Sequence, residues 1–227
     1  MLPTPAPGFD EPLAMLRTCH ERIQRQCATL AKLAVHLRRD GLSDGARQAA
    51  ANIHRYFSSA GRQHHADEER DLFPQLRTEP ALSGRLDTLA REHAVMESLW
   101  QRLEPLLAAP DTIHDLDAFA QLAGEFNALY RQHIARENSE LLPLAEQLLS
   151  VEQQRELGAR MAARRGAAVD VEVVGGPADH SRGRRAEHLF RARRARGTPR
   201  ERLQLLRRPR RPPPVAALQP HVAILPA

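Results

Sequence analysis

An all-α chain folded as an up-down four-helix bundle is what this sequence predicts, on three observations. First, two segments headed by His64-x-x-x-Glu68 and His133-x-x-x-Glu137 match each other. From each His, Leu recurs at +8, a bulky apolar residue (Phe73, Leu142) at +9 and Pro at +10; upstream, Ile53 and Phe57 answer Leu122 and Phe126. Second, the segments before these also match, with Leu16, His20, Ile23 and Leu30 aligning with Leu89, His93, Met96 and Leu103. Third, the apolar residues of both leading segments alternate in steps of three and four, as in Leu16, His20, Ile23, Cys27, Leu30 and in Leu89, His93, Met96, Trp100, Leu103. That alternation is the core seam of a packed helix. A duplicated helix pair that buries its apolar face against its own copy closes into four helices.

Each element has its own start and stop. Asp10-Glu11-Pro12 opens the first helix, with Asp able to cap and Pro tolerated in the first turn, and Asp40-Gly41 ends it. Ser43 or Asp44 opens the second, about 45–77, which Pro74 ends or kinks. The third fits 82–108, closed by Pro110, and the fourth runs from Thr112 or Asp115 to about 148. Ser150-Val151-Glu152-Gln153 is a capping-box candidate for a short fifth helix ending near Arg165-Gly166. The bundle is therefore expected over 10–165.

The chemistry lies in the inward positions. His64 and Glu68, like His133 and Glu137, stand one above the other on one helix face, where an imidazole and a carboxylate can grip a metal ion. His20 and His93 fall within the apolar seams. Each of the four helices thus turns one His inward. A buried polar group needs a partner, and a metal would satisfy all four at once. The competing readings are surface ion pairs for the His/Glu pairs and ordinary core histidines for His20 and His93; the repeat and its apolar flanks favour ligation. His65 with Glu69 offers a rival register, but Ile134 stands at the position of His65 in the second copy, so His65 is left outside the ligand set. Tyr130, three residues before His133, is a candidate to hydrogen-bond near the centre, and Cys27 and Trp100 read as core residues or as the lining of a path for a small ligand.

With these residues in hand the chain resembles the hemerythrin-like, HHE cation-binding family over about 10–165. The resemblance is carried by His64-His65-Ala66-Asp67-Glu68-Glu69 with Leu72-Phe73-Pro74, by Glu92-His93, and by His133-Ile134-Ala135-Arg136-Glu137. It implies two non-haem Fe ions joined by two carboxylates and an oxo or hydroxo bridge. His20 and His64 would hold one iron, His93 and His133 the other, and Glu68 and Glu137 would be the bridges. Oxygen-carrying members have a fifth His one turn after the third, where this chain has Glu97. The resemblance makes Glu97 a candidate seventh ligand, a hard donor that favours ferric iron over reversible oxygen carriage. Iron–sulfur-repair relatives carry an N-terminal Cys-containing domain and a further ligand His, for which His36 and His54 are only loose counterparts.

The implied function is a di-iron protein that binds or senses O2, NO or peroxide, or buffers iron. The alternatives are a di-iron enzyme of nitrosative or oxidative stress defence or of iron–sulfur repair, and a metal-free helical interaction module. An oxidase of the ferritin-like type is disfavoured, because no Glu in 1–165 has His at +3. Whether the chain is an enzyme, and how it assembles, stay open.

Bulk composition narrows the setting. Aromatic residues make up 4% of the chain, and no apolar run approaches the ~20 residues of a membrane span. The N-terminus lacks the basic and apolar regions of a signal peptide, so a cytoplasmic protein is expected. Cys19 and Cys27, eight residues apart on one helix, are roughly 12 Å apart by the helical rise and should be free thiols. The net charge of +5 is concentrated at one end: residues 166–227 carry 13 Arg against 5 acidic residues, leaving 20 basic and 23 acidic residues in the bundle. This Arg/Pro-rich tail has no sustained period and is expected to be poorly ordered. Its basic runs lack interleaved aromatic residues, which disfavours nucleic-acid binding. Arg/Pro/Ala-rich text of this kind is also what a shifted frame in a GC-rich gene would produce, and the favoured reading gives the tail no function.

Overall fold

The computed structural model describes residues 7–167, and all of its long elements are helices. Helix α1 is Pro12–Asp40, α2 spans 44–76, α3 is Ser83–Ala108, α4 spans 116–148 and α5 is Val151–Arg164. α1 packs on α2 and α4, and α3 packs on the same two, so the first four helices close into a ring with sequence neighbours side by side. The connections are short, which forces each pair to run antiparallel. This is the expected up-down bundle, with the expected fifth helix. Among the described residues no helix is long and apolar enough to cross a membrane. The tail expected to be poorly ordered lies outside the described residues, apart from Gly166 and Ala167.

The helix ends reflect local chemistry. Gly41 closes α1 at φ 74°, a left-handed conformation that glycine adopts without strain, and its N–H bonds the Leu37 carbonyl. Pro12 starts α1 as expected, but the preceding cap position is Glu11, not Asp10, and no side chain caps it. Ser43 caps α2 by accepting from the Ala46 N–H, and Asp115 caps α4 by accepting from Asp117 and Ala118. The capping box at Ser150 and Gln153 is complete.

α2 and α4 are interrupted by π turns. The Phe73 N–H bonds the Glu68 carbonyl and the Leu142 N–H bonds the Glu137 carbonyl, each five residues back. In both copies the next residue is Pro, Pro74 or Pro143. A proline ring inside an α-helix clashes with the carbonyl four residues earlier and offers no N–H to it. A widened turn absorbs both defects, so Pro74 does not end the helix, which continues to Leu76. A further π turn at Phe57–Gly61 has no counterpart in α4.

The core is in two parts. One is built on Ile23, Leu30, Ile53, Met96, Leu103 and Phe126, the other on Leu16, Leu72, Phe73, Leu86, Leu142 and Leu157. Along α1, His20 falls between Leu16 of one part and Ile23 of the other; along α3, His93 falls between Leu89 and Met96. A polar layer thus crosses the bundle with apolar packing above and below, and those apolar layers keep bulk water from its groups.

α5 covers the end of the bundle formed by the second core. Asp67, fully buried, receives Arg164 and Arg165, the latter at 2.5 Å, and Asp71 receives Arg164 at 2.5 Å and Arg160 at 3.6 Å. Gly158 lies against the chain at Phe9, where an added Cβ would sit 1.8 Å from the Phe9 carbonyl oxygen, so the close approach requires glycine.

Candidate metal centre

Six side chains converge in the polar layer: His20 from α1, His64 and Glu68 from α2, His93 from α3, and His133 and Glu137 from α4. All six are buried. They form two overlapping groups, His20, His64, Glu68 and Glu137, and Glu68, His93, His133 and Glu137. Within each group one donor atom per residue lies within 4.8 Å of all the others.

The two carboxylates divide their oxygens between the groups. Glu68 turns Oε1 to His20 and His64, with Nε2 atoms at 3.7 and 3.4 Å, and Oε2 to His93 at 3.4 Å. Glu137 turns Oε2 to His20 and Oε1 to His133, both at 3.1 Å. The His93 and His133 Nε2 atoms stand 2.9 Å apart. Each carboxylate is therefore placed between two histidine pairs, as a bridging ligand would be.

Three of the four outer ring nitrogens find hydrogen-bond acceptors, and that of His64 finds none among the described residues. His20 Nδ1–H donates to Asn138 Oδ1 at 2.7 Å, His93 Nδ1–H to Glu69 at 2.8 Å, and His133 Nδ1–H to Glu92 at 2.8 Å. Arg136 in turn pairs with Glu92. Fixing the proton on Nδ1 leaves Nε2 as the inward donor atom, the arrangement that orients histidine for a metal. Neighbouring rings hold His93 further: His65 stacks on it at 4.0 Å and Phe73 lies parallel at 5.9 Å. The Tyr130 hydroxyl and His65 Nε2 share a hydrogen bond of 3.2 Å.

Electrostatics sharpen the case for a cation. Both oxygens of Glu68 and of Glu137, and Nε2 of His20, are buried and have no hydrogen-bond partner among the described residues. Burial, together with the Glu137 charge, raises the Glu68 carboxyl above its ordinary value. Glu137 goes the other way: burial would raise it, but the close imidazoles of His133 and His20, each at 3.1 Å, hold it well below the usual range. Burial alone would lower His20, yet the carboxylates of Glu137 and Glu68 facing it raise it to about 10. Burial and the adjacent His20 keep His64 well below the ordinary histidine value. Without an ion, then, the raised His20, like the raised His133, favours holding a proton that offsets the two dry carboxylates. Two carboxylates and four imidazoles make a nitrogen and oxygen donor set suited to iron and similar transition metals, and the fit is good.

Metal uptake must therefore displace that proton. At neutral pH, below the raised value of His20, ion binding should release a proton, and affinity should climb as pH rises toward about 10. Calorimetric titration in two buffers of different ionisation enthalpy, repeated across pH, measures the release; a pH-independent affinity would contradict it.

Glu97, the seventh expected ligand, is not brought to the centre. Its side chain is 41% exposed and pairs with Arg62 at 3.4 Å. The seam of α3 steps by three after His93, so Met96, fully buried, takes the inward place and Glu97 is turned to the flank facing α2. Glu97→Ala should accordingly leave the metal stoichiometry and optical spectrum of the protein unchanged. A lost ion or a shifted band would mean that Glu97 swings inward when metal binds.

Other candidates fall elsewhere. His36 pairs with Asp40 and Ser43 at the far end of α1, and His54 lies near Glu104. Cys19 and Cys27 are free, and burial pushes the Cys27 thiol up to about 12, far from a reactive thiolate. His180, His188 and His221 lie outside the described residues. Sequence reasoning named Glu69 and Glu92 only within motifs and Asn138 not at all, and gave none of them its supporting role. Their one signal was adjacency, since each is next in sequence to a residue of the cluster yet bonds a histidine of another helix.

Comparison with known proteins agrees with this geometry. The model of the hemerythrin HHE cation binding domain matches residues 11–145. An uncharacterized protein of Haemophilus influenzae is 32% identical over 158 residues, covering 69% of this chain and 91% of that protein. By fold, by matched span and by its buried His/Glu cluster, the chain belongs to the hemerythrin HHE cation-binding family.

Proposed function

We propose that the protein binds two non-haem iron ions through His20, His64, His93 and His133, bridged by Glu68 and Glu137, and uses them to bind or sense O2, NO or peroxide or to buffer iron. The observation that supports this reading is the division of each carboxylate between two histidine pairs, which suits two adjacent ions better than one. Bound there, iron would supply one-electron redox chemistry and an open position for a small molecule.

The chain's own contribution is orientation and exclusion of water. Four imidazoles are held with Nε2 inward, and the two apolar layers close the centre above and below. Access for a small neutral molecule is favoured beside Tyr130. That residue lines a groove of about 500 Å³ between α1 and α4, together with Cys27, and its hydroxyl reaches the His65 ring stacked on His93. A dry, enclosed centre suits an uncharged diatomic molecule better than a bulky substrate.

Anaerobic loading of the metal-free chain with ferrous iron tests the reading. Close to two irons per chain are expected, with an optical spectrum that changes when O2, NO or peroxide is added to the reduced protein. A single ion per chain, a preference for zinc, or spectra indifferent to all three molecules would overturn it.

A further inference from the structure

We infer that the two metal positions are built unequal: the one served by His93 and His133 holds its ion more tightly than the one served by His20 and His64, because carboxylates stand behind both of its histidines. The inference rests on the two-metal reading above and concerns how this chain tunes each position.

The difference arises where the two copies of the repeat have diverged. Glu69 and Asn138 are equivalent, each five residues after the His of its second helix, and each supports the first-helix His of the opposite copy. Glu69 gives His93 a carboxylate; Asn138 gives His20 a neutral amide. Glu92 and Cys19 are likewise equivalent, each just before the first-helix His. Glu92 accepts from His133 Nδ1, whereas His64 Nδ1 has no hydrogen-bond partner among the described residues. The same two places in the duplicated architecture thus hold two carboxylates on one side, and an amide and a thiol on the other.

An imidazole whose Nδ1–H is shared with a carboxylate gains electron density at Nε2 and becomes a stronger, more basic donor. An amide oxygen polarises the ring less, and an unpaired Nδ1 not at all. Glu92 has the greater leverage of the two carboxylates. Its side chain is only 14% exposed and is fixed by Arg136, while that of Glu69 is 44% exposed and more screened. His93 is also held between the His65 and Phe73 rings, so little ordering remains to be done when an ion arrives. Stronger donors on one side also favour the more oxidised ion there.

Stepwise ferrous loading of the full metal-free chain, monitored by affinity and by 57Fe Mössbauer spectra, reads both positions. Because Glu68 and Glu137 face both positions, two binding steps alone decide nothing; the support variants do. Glu92→Gln should weaken the tighter step by about 10–100-fold and leave the weaker step within a few-fold. Asn138→Asp should strengthen the weaker step and narrow the gap. With one equivalent of 57Fe the native chain should give one dominant quadrupole doublet, and Glu92→Gln should give a mixture. Equal weakening of both steps by Glu92→Gln, or no response to either variant, would overturn the inequality while leaving a two-iron site intact. Failure of the native chain to bind two ions would instead remove the reading on which the inequality rests.

Discussion

Glu68→Ala should abolish tight binding at both metal positions at once, whereas His64→Ala should cripple one and spare much of the other. The reason is membership: Glu68 and Glu137 belong to both groups of converging donors, while each histidine belongs to one. Glu68 turns one oxygen toward His20 and His64 and the other toward His93, so its removal takes a donor from each position. It also leaves the four imidazoles facing one another with a single carboxylate between them, and ions brought there would repel with half the compensating charge. Iron content per chain should fall from about two to near zero in Glu68→Ala, and to about one in His64→Ala. Metal analysis after anaerobic loading and desalting checks both. Two irons retained by Glu68→Ala would mean the bridging geometry is misassigned, and loss of both irons from His64→Ala would mean the positions fill only together.

Asp67→Ala should destabilise the fold more than any substitution at an exposed ion pair, and should loosen the metal centre although Asp67 donates nothing to it. Asp67 is fully buried and receives both Arg164 and Arg165 of α5. Removing one member of a buried pair strands the other charge and costs about 3–5 kcal/mol; partial exposure of the two arginines puts the expectation at the low end, about 3 kcal/mol. For a domain of this size each kcal/mol lowers Tm by about 2–4 °C, so a fall of roughly 6–12 °C is expected. Asp67 is adjacent to Glu68, and α5 holds the stretch of α2 that carries His64 and Glu68. The variant should therefore also lose iron faster to a chelator. Thermal melts by circular dichroism, with and without iron, measure the first effect, and chelator competition the second. A Tm within about 2 °C of the native value would show that α5 is dispensable.

Parts of this centre could be read directly from the chain. The seam steps on α1 and α3 set His20 and His93 inward, because a helix repeats every 3.6 residues and the core selects one face. The i, i+4 spacing put Glu68 under His64 and Glu137 under His133 for the same local reason. Repetition of the whole pattern marked the four segments as two copies of one unit, and so as four helices around one polar layer. Pro74 and Pro143 even marked where each second helix is disturbed, although the helix widens there instead of stopping.

Tertiary structure alone decided what depends on how the helices rotate and approach one another. The extra π turn at Phe57–Gly61 adds a residue to one turn of α2 and rotates the remainder of that helix by about 100° relative to a regular α-helix. His65 also lies over His93, which Ile134 of the other copy gave no reason to expect. Glu97, a ligand candidate through the family resemblance, lies beside the seam that Met96 fills, and Arg62 of α2 captures its carboxylate. The supports Asn138, Glu69 and Glu92 bond histidines 118, 24 and 41 residues away, and nothing local encodes such pairs. Spacing along one helix is fixed by backbone hydrogen bonds, so the sequence by itself determined the four helices and their inward residues. Partnership between helices is fixed by packing angle and rotation, to which distant side chains contribute together, and only the folded structure decided it.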